Sequence, residues 1–221
     1  MRSEVPVHLS LHSRYTVESV LKGHSDKVCD QICDAILDEY LREDERSRVA
    51  VECMGSGSTL VVAGEVSSSA KVDVASIAKS IYCEIGYNEE LRIIKVIGKQ
   101  SEQLGRAVSI GAAGDQGVMY GFACDCIHNN LPFGQYVVNA MAREIDSLCE
   151  KTNLFRPDGK VQVTVNNGAV ESLVISVQHD ADTDLEDLEH VIMNEAVSKV
   201  LAATDPARIL QQSVKFYNGA S

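Results

Sequence analysis

Gly23-His24-Ser25-Asp26-Lys27 gathers an imidazole, a hydroxyl, a carboxylate and an ammonium into the first turn of an amphipathic helix. A helix start offers backbone N–H groups that the helical ladder leaves unpaired, together with the positive end of the macrodipole, so a phosphate can sit there. Asp26 is placed to hold a divalent cation travelling with that anion. The same residues also suit an ordinary capped helix, with Ser25 as N-cap and Asp26 in the first turn. On this segment alone both readings stand.

Further along, Gly111 to Gly121 holds four glycines in eleven residues around Asp115, the sole carboxylate of that loop. Such glycines let backbone approach a ligand closely, and Asp115 either caps a turn or holds a cationic group. Glu52 and Glu65 are acids inside apolar strands. Edge exposure accounts for either one, whereas a sheet face covered by another subunit makes both of them cation ligands or substrate anchors. Arg156-Pro157-Asp158-Gly159-Lys160 has plain turn chemistry at Pro-Asp-Gly, and it sets Asp158 and Lys160 two residues apart at a strand's start. His179, at the end of an apolar strand, reads as structural. Neither G-x-x-x-x-G-K-[ST] nor G-x-G-x-x-G occurs, so this is not a P-loop or a dinucleotide fingerprint.

The elements that must position these residues follow a repeated plan. Val28, Ile32, Ala35, Ile36, Tyr40 and Leu41 recur at helical spacing between Ser25 and Asp44. Arg48–Met54 and Thr59–Val66 read as a hairpin about Gly55-Ser56-Gly57-Ser58. A helix from about Asp73 to Ile85 stops at Gly86, and 91–97 reads as another strand. After the glycine-rich stretch comes a helix over 134–151, followed by strands over 161–165 and 169–178 around Asn166-Asn167-Gly168. A helix over 184–203 and a short strand near 214–217 complete the order. Two α-β-β-α-β units therefore suggest a duplicated α+β architecture of antiparallel sheets with helices on one face. The expected division is an N-terminal extension over 1–14, a first repeat over 15–110 and a second over 111–221.

A chain of 221 residues, 45% hydrophobic, is enough for a substantial core. With no Trp and four Phe, that core must rest on Val, Ile, Leu and Ala. A net charge of −12 without clustered Lys or Arg argues against nucleic-acid or acidic-membrane surfaces, so a bound polyphosphate would need cations. No segment approaches the ~20 apolar residues of a spanning helix, and no secretory signal is legible, so a cytoplasmic protein is expected. The seven cysteines, Cys29, Cys33, Cys53, Cys83, Cys124, Cys126 and Cys149, are odd in number and scattered. They read as reduced, mostly buried thiols; the Cys124-Asp125-Cys126 spacing is a weak metal signal.

In order along the chain, six segments resemble one family. Tyr15-Thr16-Val17-Glu18-Ser19-Val20-Leu21-Lys22-Gly23-His24-Ser25-Asp26-Lys27-Val28-Cys29-Asp30-Gln31-Ile32 is similar to the opening S-E-S-V-x-x-G-H-P-D-K-x-x-D-Q-I segment of the methionine adenosyltransferases, also called S-adenosylmethionine synthetases. Gly64-Glu65-Val66, Ile97-Gly98-Lys99-Gln100-Ser101, Gly114-Asp115-Gln116-Gly117, Arg156-Pro157-Asp158-Gly159-Lys160 and Ser176-Val177-Gln178-His179 resemble further motifs of that family.

The resemblance implies an in-line displacement in which methionine's sulfur attacks C5′ of ATP and expels tripolyphosphate, which is then hydrolysed. It implies that His24 contacts the triphosphate and leaving oxygen, that Asp158, Gly159 and Lys160 bind ATP, and that His24 and Lys160 are the catalytic side chains. Glu65, Gln100 and Asp115 would fix methionine, Asp26 would bind Mg²⁺, and Glu52 would help hold K⁺. No covalent protein nucleophile is required, because alignment and stabilisation of a leaving polyanion supply the catalysis.

Departures from the pattern are Ser25 where the family usually has Pro, Lys22 where it often has Glu, and a shortened loop between Gln100 and Gly111. The family carries three related repeats, of which two are recognised here, so a homo-oligomer or a second chain carrying the third is expected to complete the site. The competing reading is a non-catalytic scaffold or regulatory subunit of a synthetase complex. A less specific one is an adenine-nucleotide module without methionine chemistry.

Overall fold

The computed structural model describes residues 14–99, 116–125 and 129–204, and the backbone of 209–216. By internal contacts the chain divides into two compact units, one spanning 22–121 and the other combining 1–21 with 122–221.

In the first unit, α1 (Ser25–Glu43) is followed by the hairpin β2 (Arg48–Ser56) and β3 (Thr59–Ser67), then α2 (Val74–Ile85) and β4 (Arg92–Gly98). The helix α1 forms because Val28, Cys29, Ile32, Ile36 and Tyr40 make one apolar stripe, all buried, with acids on the other side. Asp73 caps α2, accepting from Ser76 N at 3.2 Å, and Gly86 ends it in the left-handed region at φ 118°. Strands β2 and β3 pair antiparallel in the register Arg48↔Ser67 to Ser56↔Thr59. Strand β4 then pairs parallel to β3, because α2 carries the chain back to the starting end of the sheet.

Period-2 alternation sends Val51, Leu60 and Val62 into the core with α1 and α2. The opposite face carries Ala50, Glu52, Met54, Ala63, Glu65, Ile94 and Val96, of which Met54 is 68% exposed and Val96 61%. Gly64 permits the close hairpin: it has φ 148°, and a Cβ there would lie 2.0 Å from the Ala50 carbonyl oxygen.

The second unit repeats the plan with one addition. α3 (Phe133–Lys151), β5 (Gly159–Asn166), β6 (Ala169–Val177), a helical stretch and β7 (Ile209–Phe216) form the unit, with β1 (Arg14–Val20) on the far edge, in the order β1-β5-β6-β7. The helical stretch comprises α4 (Leu185–Val191), a π-helical turn (Ile192–Val197) and α5 (Ser198–Ala202). Asn167 and Gly168, with φ of 51° and 79°, make the tight turn of the β5–β6 hairpin, the left-handed pair that matches the twist of its strands. Again the hairpin is antiparallel and the strand after the helices is parallel. Val137, Val138, Met141 and Ile145 of α3 and Ile192 and Ala196 of the π turn pack on Val161, Val163, Leu173 and Ile175 of the sheet.

The α+β architecture and the duplicated order are therefore present, with three differences from expectation. Each sheet is mixed, since β4 and β7 are parallel strands where antiparallel sheets were expected. The linear division at 110/111 differs from the spatial units, because 14–20 pairs antiparallel with β5 from Arg14↔Asn166 to Val20↔Lys160. Among the described cysteines only Cys29 is buried and Cys83 is exposed, so "mostly buried" does not hold, although all six are reduced thiols outside any disulfide. Among the described residues no helix is long and apolar enough to cross a membrane.

Candidate functional site

The start of α1 is capped by His24, not by Ser25 as expected from residue type. His24 has φ −60° and ψ 136°, its carbonyl accepts the first helical bond from Val28 N at 2.8 Å, and its ring Nδ1 accepts from Asp26 N at 3.3 Å. That assignment makes Nδ1 the acceptor and leaves the ring's hydrogen on Nε2. The Asp26 side chain is 90% exposed, against 24% for His24, and its Oδ2 lies 3.9 Å from His24 Nδ1. A hard carboxylate standing in solvent at a helix start suits Mg²⁺, which keeps several waters and binds through one or two carboxylates plus substrate phosphates. Among the described residues no group of three or more His, Cys, Asp or Glu side chains is arranged as a metal cage. The residues thus fit a cation brought with a phosphate ligand better than a preformed all-protein site.

Strand parity sets both strand acids on the outward face of the first sheet. Glu52 stands opposite Ala63 and Glu65 opposite Ala50, so the two lie on one face, offset along neighbouring strands, and both are exposed. Beside Glu52, a cleft of about 360 Å³ is lined by Asp30, Cys33, Asp34, Leu37, Val49 and Val51. Cys29, Cys33 and Cys53 cluster nearby. The Cys33 and Cys53 thiols share a hydrogen bond, and burial, the leading cause, raises the pKa of all three. Neutral, unreactive thiols are the consequence.

The second unit assembles the Arg156–Lys160 segment against the strand end at Gln178. Arg156 N donates to Gln178 O at 2.7 Å, Gln178 N donates to Asp158 O at 2.9 Å, and Arg156 pairs with Asp180 at 3.6 Å. These bonds bring two of the sequence motifs side by side and leave Gln178 Oε1 buried without a hydrogen-bond partner among the described residues. His179 is half-buried, its Nδ1 2.9 Å from the Asp180 carbonyl oxygen. Gly159 is required where it stands, since a Cβ would come within 2.6 Å of both Leu21 Cδ1 and Ser176 O. Leu21 N in turn donates to Gly159 O at 2.9 Å, locking the end of β1 onto the motif. Lys160 Nζ donates to Glu18 Oε1 at 3.0 Å, and Gln162 Nε2 to Glu18 Oε2 at 3.4 Å.

Gln100 and Asp115, expected at the methionine end, lie outside the described residues. Sequence reasoning did not single out Glu18 as a partner of Lys160. The signal was present in the alternation of Tyr15 and Val17 with Thr16 and Glu18, a strand pattern immediately before the helix motif.

Residues 12–102 match the family description "S-adenosylmethionine synthetase, N-terminal domain", and 110–218 match "S-adenosylmethionine synthetase, central domain". The chain is 35% identical over 218 residues to the S-adenosylmethionine synthase of Nocardioides sp., an alignment covering 85% of this chain and 55% of that one. It is 34% identical to that of Finegoldia magna, over 91% of this chain and 58% of the relative. For the Lacticaseibacillus casei protein the identity is 36%, over 92% and 58%. The chain thus spans just over half the length of these curated relatives. Two adjoining domain matches in family order, carried on two similarly built α+β units, establish that the chain belongs to the S-adenosylmethionine synthetase family.

Proposed function

We propose that this chain is a cytoplasmic subunit of a methionine adenosyltransferase, forming S-adenosylmethionine from ATP and methionine with release of phosphate and diphosphate. The observation that carries the reading is the opening of α1, where His24 caps the helix and Asp26 stands 90% exposed in its first turn, within the longest family motif. His24, Asp158, Gly159 and Lys160 bind ATP, and Glu65, Gln100 and Asp115 hold methionine. The sulfur–C5′ bond forms as the C5′–oxygen bond breaks, and the electron pair leaves with the tripolyphosphate. His24 Nε2–H and the Lys160 ammonium donate to that polyanion, a stabilisation that grows as charge develops on the leaving oxygen. Asp26 holds Mg²⁺, which when bound offsets phosphate charge, and Glu52 contributes to a K⁺ site. No protein nucleophile takes part.

The relatives are nearly twice as long as the aligned region, and the family resemblance includes a third repeat contributing further phosphate and methionine ligands. In this reading a second chain supplies that repeat, and self-association on the outward face of the first sheet, with exposed Met54 and Val96, brings copies together. The test is isolation of the protein from its host with whatever accompanies it, followed by assay of S-adenosylmethionine formation from ATP and methionine with Mg²⁺ and K⁺. Asp26→Asn and Lys160→Ala are expected to abolish product while leaving assembly intact. An accompanying synthetase equally active without this chain would sink the catalytic reading in favour of a regulatory subunit.

A further inference from the structure

Two side chains from different elements grip the turn that delivers the chain into α1. Tyr87 Oη donates to the Gly23 carbonyl at 2.6 Å, and Gln31 Nε2 donates to the Lys22 carbonyl at 2.9 Å and to the Lys27 carbonyl at 2.9 Å. Two successive peptide planes are thus held by their oxygens. In a trans peptide the N–H points opposite to the C=O, so the directions of the Gly23 and His24 N–H groups are fixed as well. Gly23, a residue with wide conformational freedom, would otherwise be a hinge directly before His24.

The tyrosine is itself rigidly mounted. It follows Gly86, the left-handed cap of α2, and its own N–H donates to Tyr82 O at 3.2 Å. Its ring stacks on Tyr82 with centroids 4.8 Å apart and planes 16° from parallel, and both rings pack against the first unit's core. The hydroxyl position is therefore set by the α2 helix end and by packing on the first unit's core.

We propose that Tyr87 is a positioning residue for the phosphate-binding start of α1: its hydroxyl fixes the Gly23–His24 peptide and, through it, the His24 ring and the Asp26 carboxylate. This rests on the assignment of His24 and Asp26 to the ATP site. Gln31 is the second point of the same clamp. A buried Gly23 carbonyl needs a partner on any account, so a merely structural Tyr87 would affect stability and leave ligand affinity unchanged.

The two roles separate when the assembly isolated with its accompanying chain is titrated calorimetrically with inorganic tripolyphosphate in the presence of Mg²⁺. Tyr87→Phe keeps the stacked ring and removes only the hydroxyl. It is expected to weaken tripolyphosphate binding roughly five- to tenfold, the scale of one lost hydrogen bond, alongside the few-degree fall in Tm that an unpartnered buried carbonyl brings. Gln31→Met, close in length but without the donor, is expected to weaken binding as well, and in an active assembly both variants lower kcat at unchanged KM for methionine. Wild-type affinity in Tyr87→Phe, or in Gln31→Met should the tyrosine variant fail to fold, overturns the proposal while Asp26→Asn still loses binding. Unaltered binding by Asp26→Asn, or no binding by wild type, overturns the site assignment and this inference with it.

Discussion

Lys160 Nζ lies 3.0 Å from Glu18 Oε1, two residues 142 apart in sequence on neighbouring strands of one sheet. Val20 stands opposite Lys160, so Glu18 reaches its partner diagonally and shares its second oxygen with Gln162. Both side chains are nearly half exposed, at 42% for Lys160 and 49% for Glu18, which limits what the pair adds to stability. Glu18→Gln is accordingly expected to change unfolding free energy by less than about 1 kcal/mol. Lys160→Ala is expected to weaken binding of Mg²⁺–ATP by roughly 10- to 100-fold, as loss of a charge-assisted bond to phosphate should. Equilibrium denaturation and calorimetric titration check the two halves separately, and a large stability loss in Glu18→Gln would contradict the first.

Gly64 precedes Glu65 at a point where β3 runs hard against β2. The Cβ of an alanine would sit 2.0 Å from Ala50 O and 2.9 Å from Val51 Cα, at a backbone φ of 148°. Nothing flexible stands there to yield, since the obstructing atoms are backbone. Gly64→Ala is expected to cost about 3 kcal/mol or more, from overpacking together with an unfavourable dihedral. Urea unfolding measures it. Gly57→Ala at the hairpin tip, where a Cβ meets nothing within 4 Å, is the comparison and is expected to cost clearly less.

The thiols differ in environment in a way that alkylation reads directly. Burial raises the pKa of Cys29, Cys33 and Cys53, whereas Cys83 is exposed on α2. Thiolate is the reacting form, so iodoacetamide near neutral pH is expected to modify Cys83 first and the three clustered thiols much more slowly. Mass mapping after limited labelling decides it; early modification of Cys53 would mean that the packing of α1 on β2 opens readily.

Much of the architecture was legible because local signals agreed. The Val28–Tyr40 stripe, the Asp73 and Gly86 caps and the Asn167-Gly168 turn each placed an element within a few residues of where it stands. Strand pairing was less legible. The parallel edge strands β4 and β7 follow from how a helix returns the chain, and β1 joins a strand that begins almost 140 residues later; neither is written in a short window. Of the site, residue types were readable and partners were not. His24 displaced Ser25 as cap because its ring nitrogen reaches Asp26 N, and Lys160 gained Glu18 through a long-range register.

Asp44 ends α1 and ties it to the segment after β3. Its Oδ2 accepts from Ser69 N at 2.9 Å, Ser69 Oγ at 2.9 Å and Ser68 Oγ at 3.3 Å, while Oδ1 accepts from Arg46 N at 3.0 Å. These donors, led by the Ser69 backbone N–H, favour the charged form and bring the carboxyl down to about 2. In the unfolded chain an aspartate titrates near ~3.9. Because the folded value is the lower one, the unfolded state binds more protons in that window. The contribution is therefore fully present above about pH 4 and is lost as pH falls through the folded value. Asp44→Asn is expected to melt below wild type at neutral pH, with the gap closing between about pH 4 and pH 2. Thermal melts of both proteins across that range test the sign: a gap that stays constant to pH 2 would show that the Asp44 charge contributes nothing to this junction.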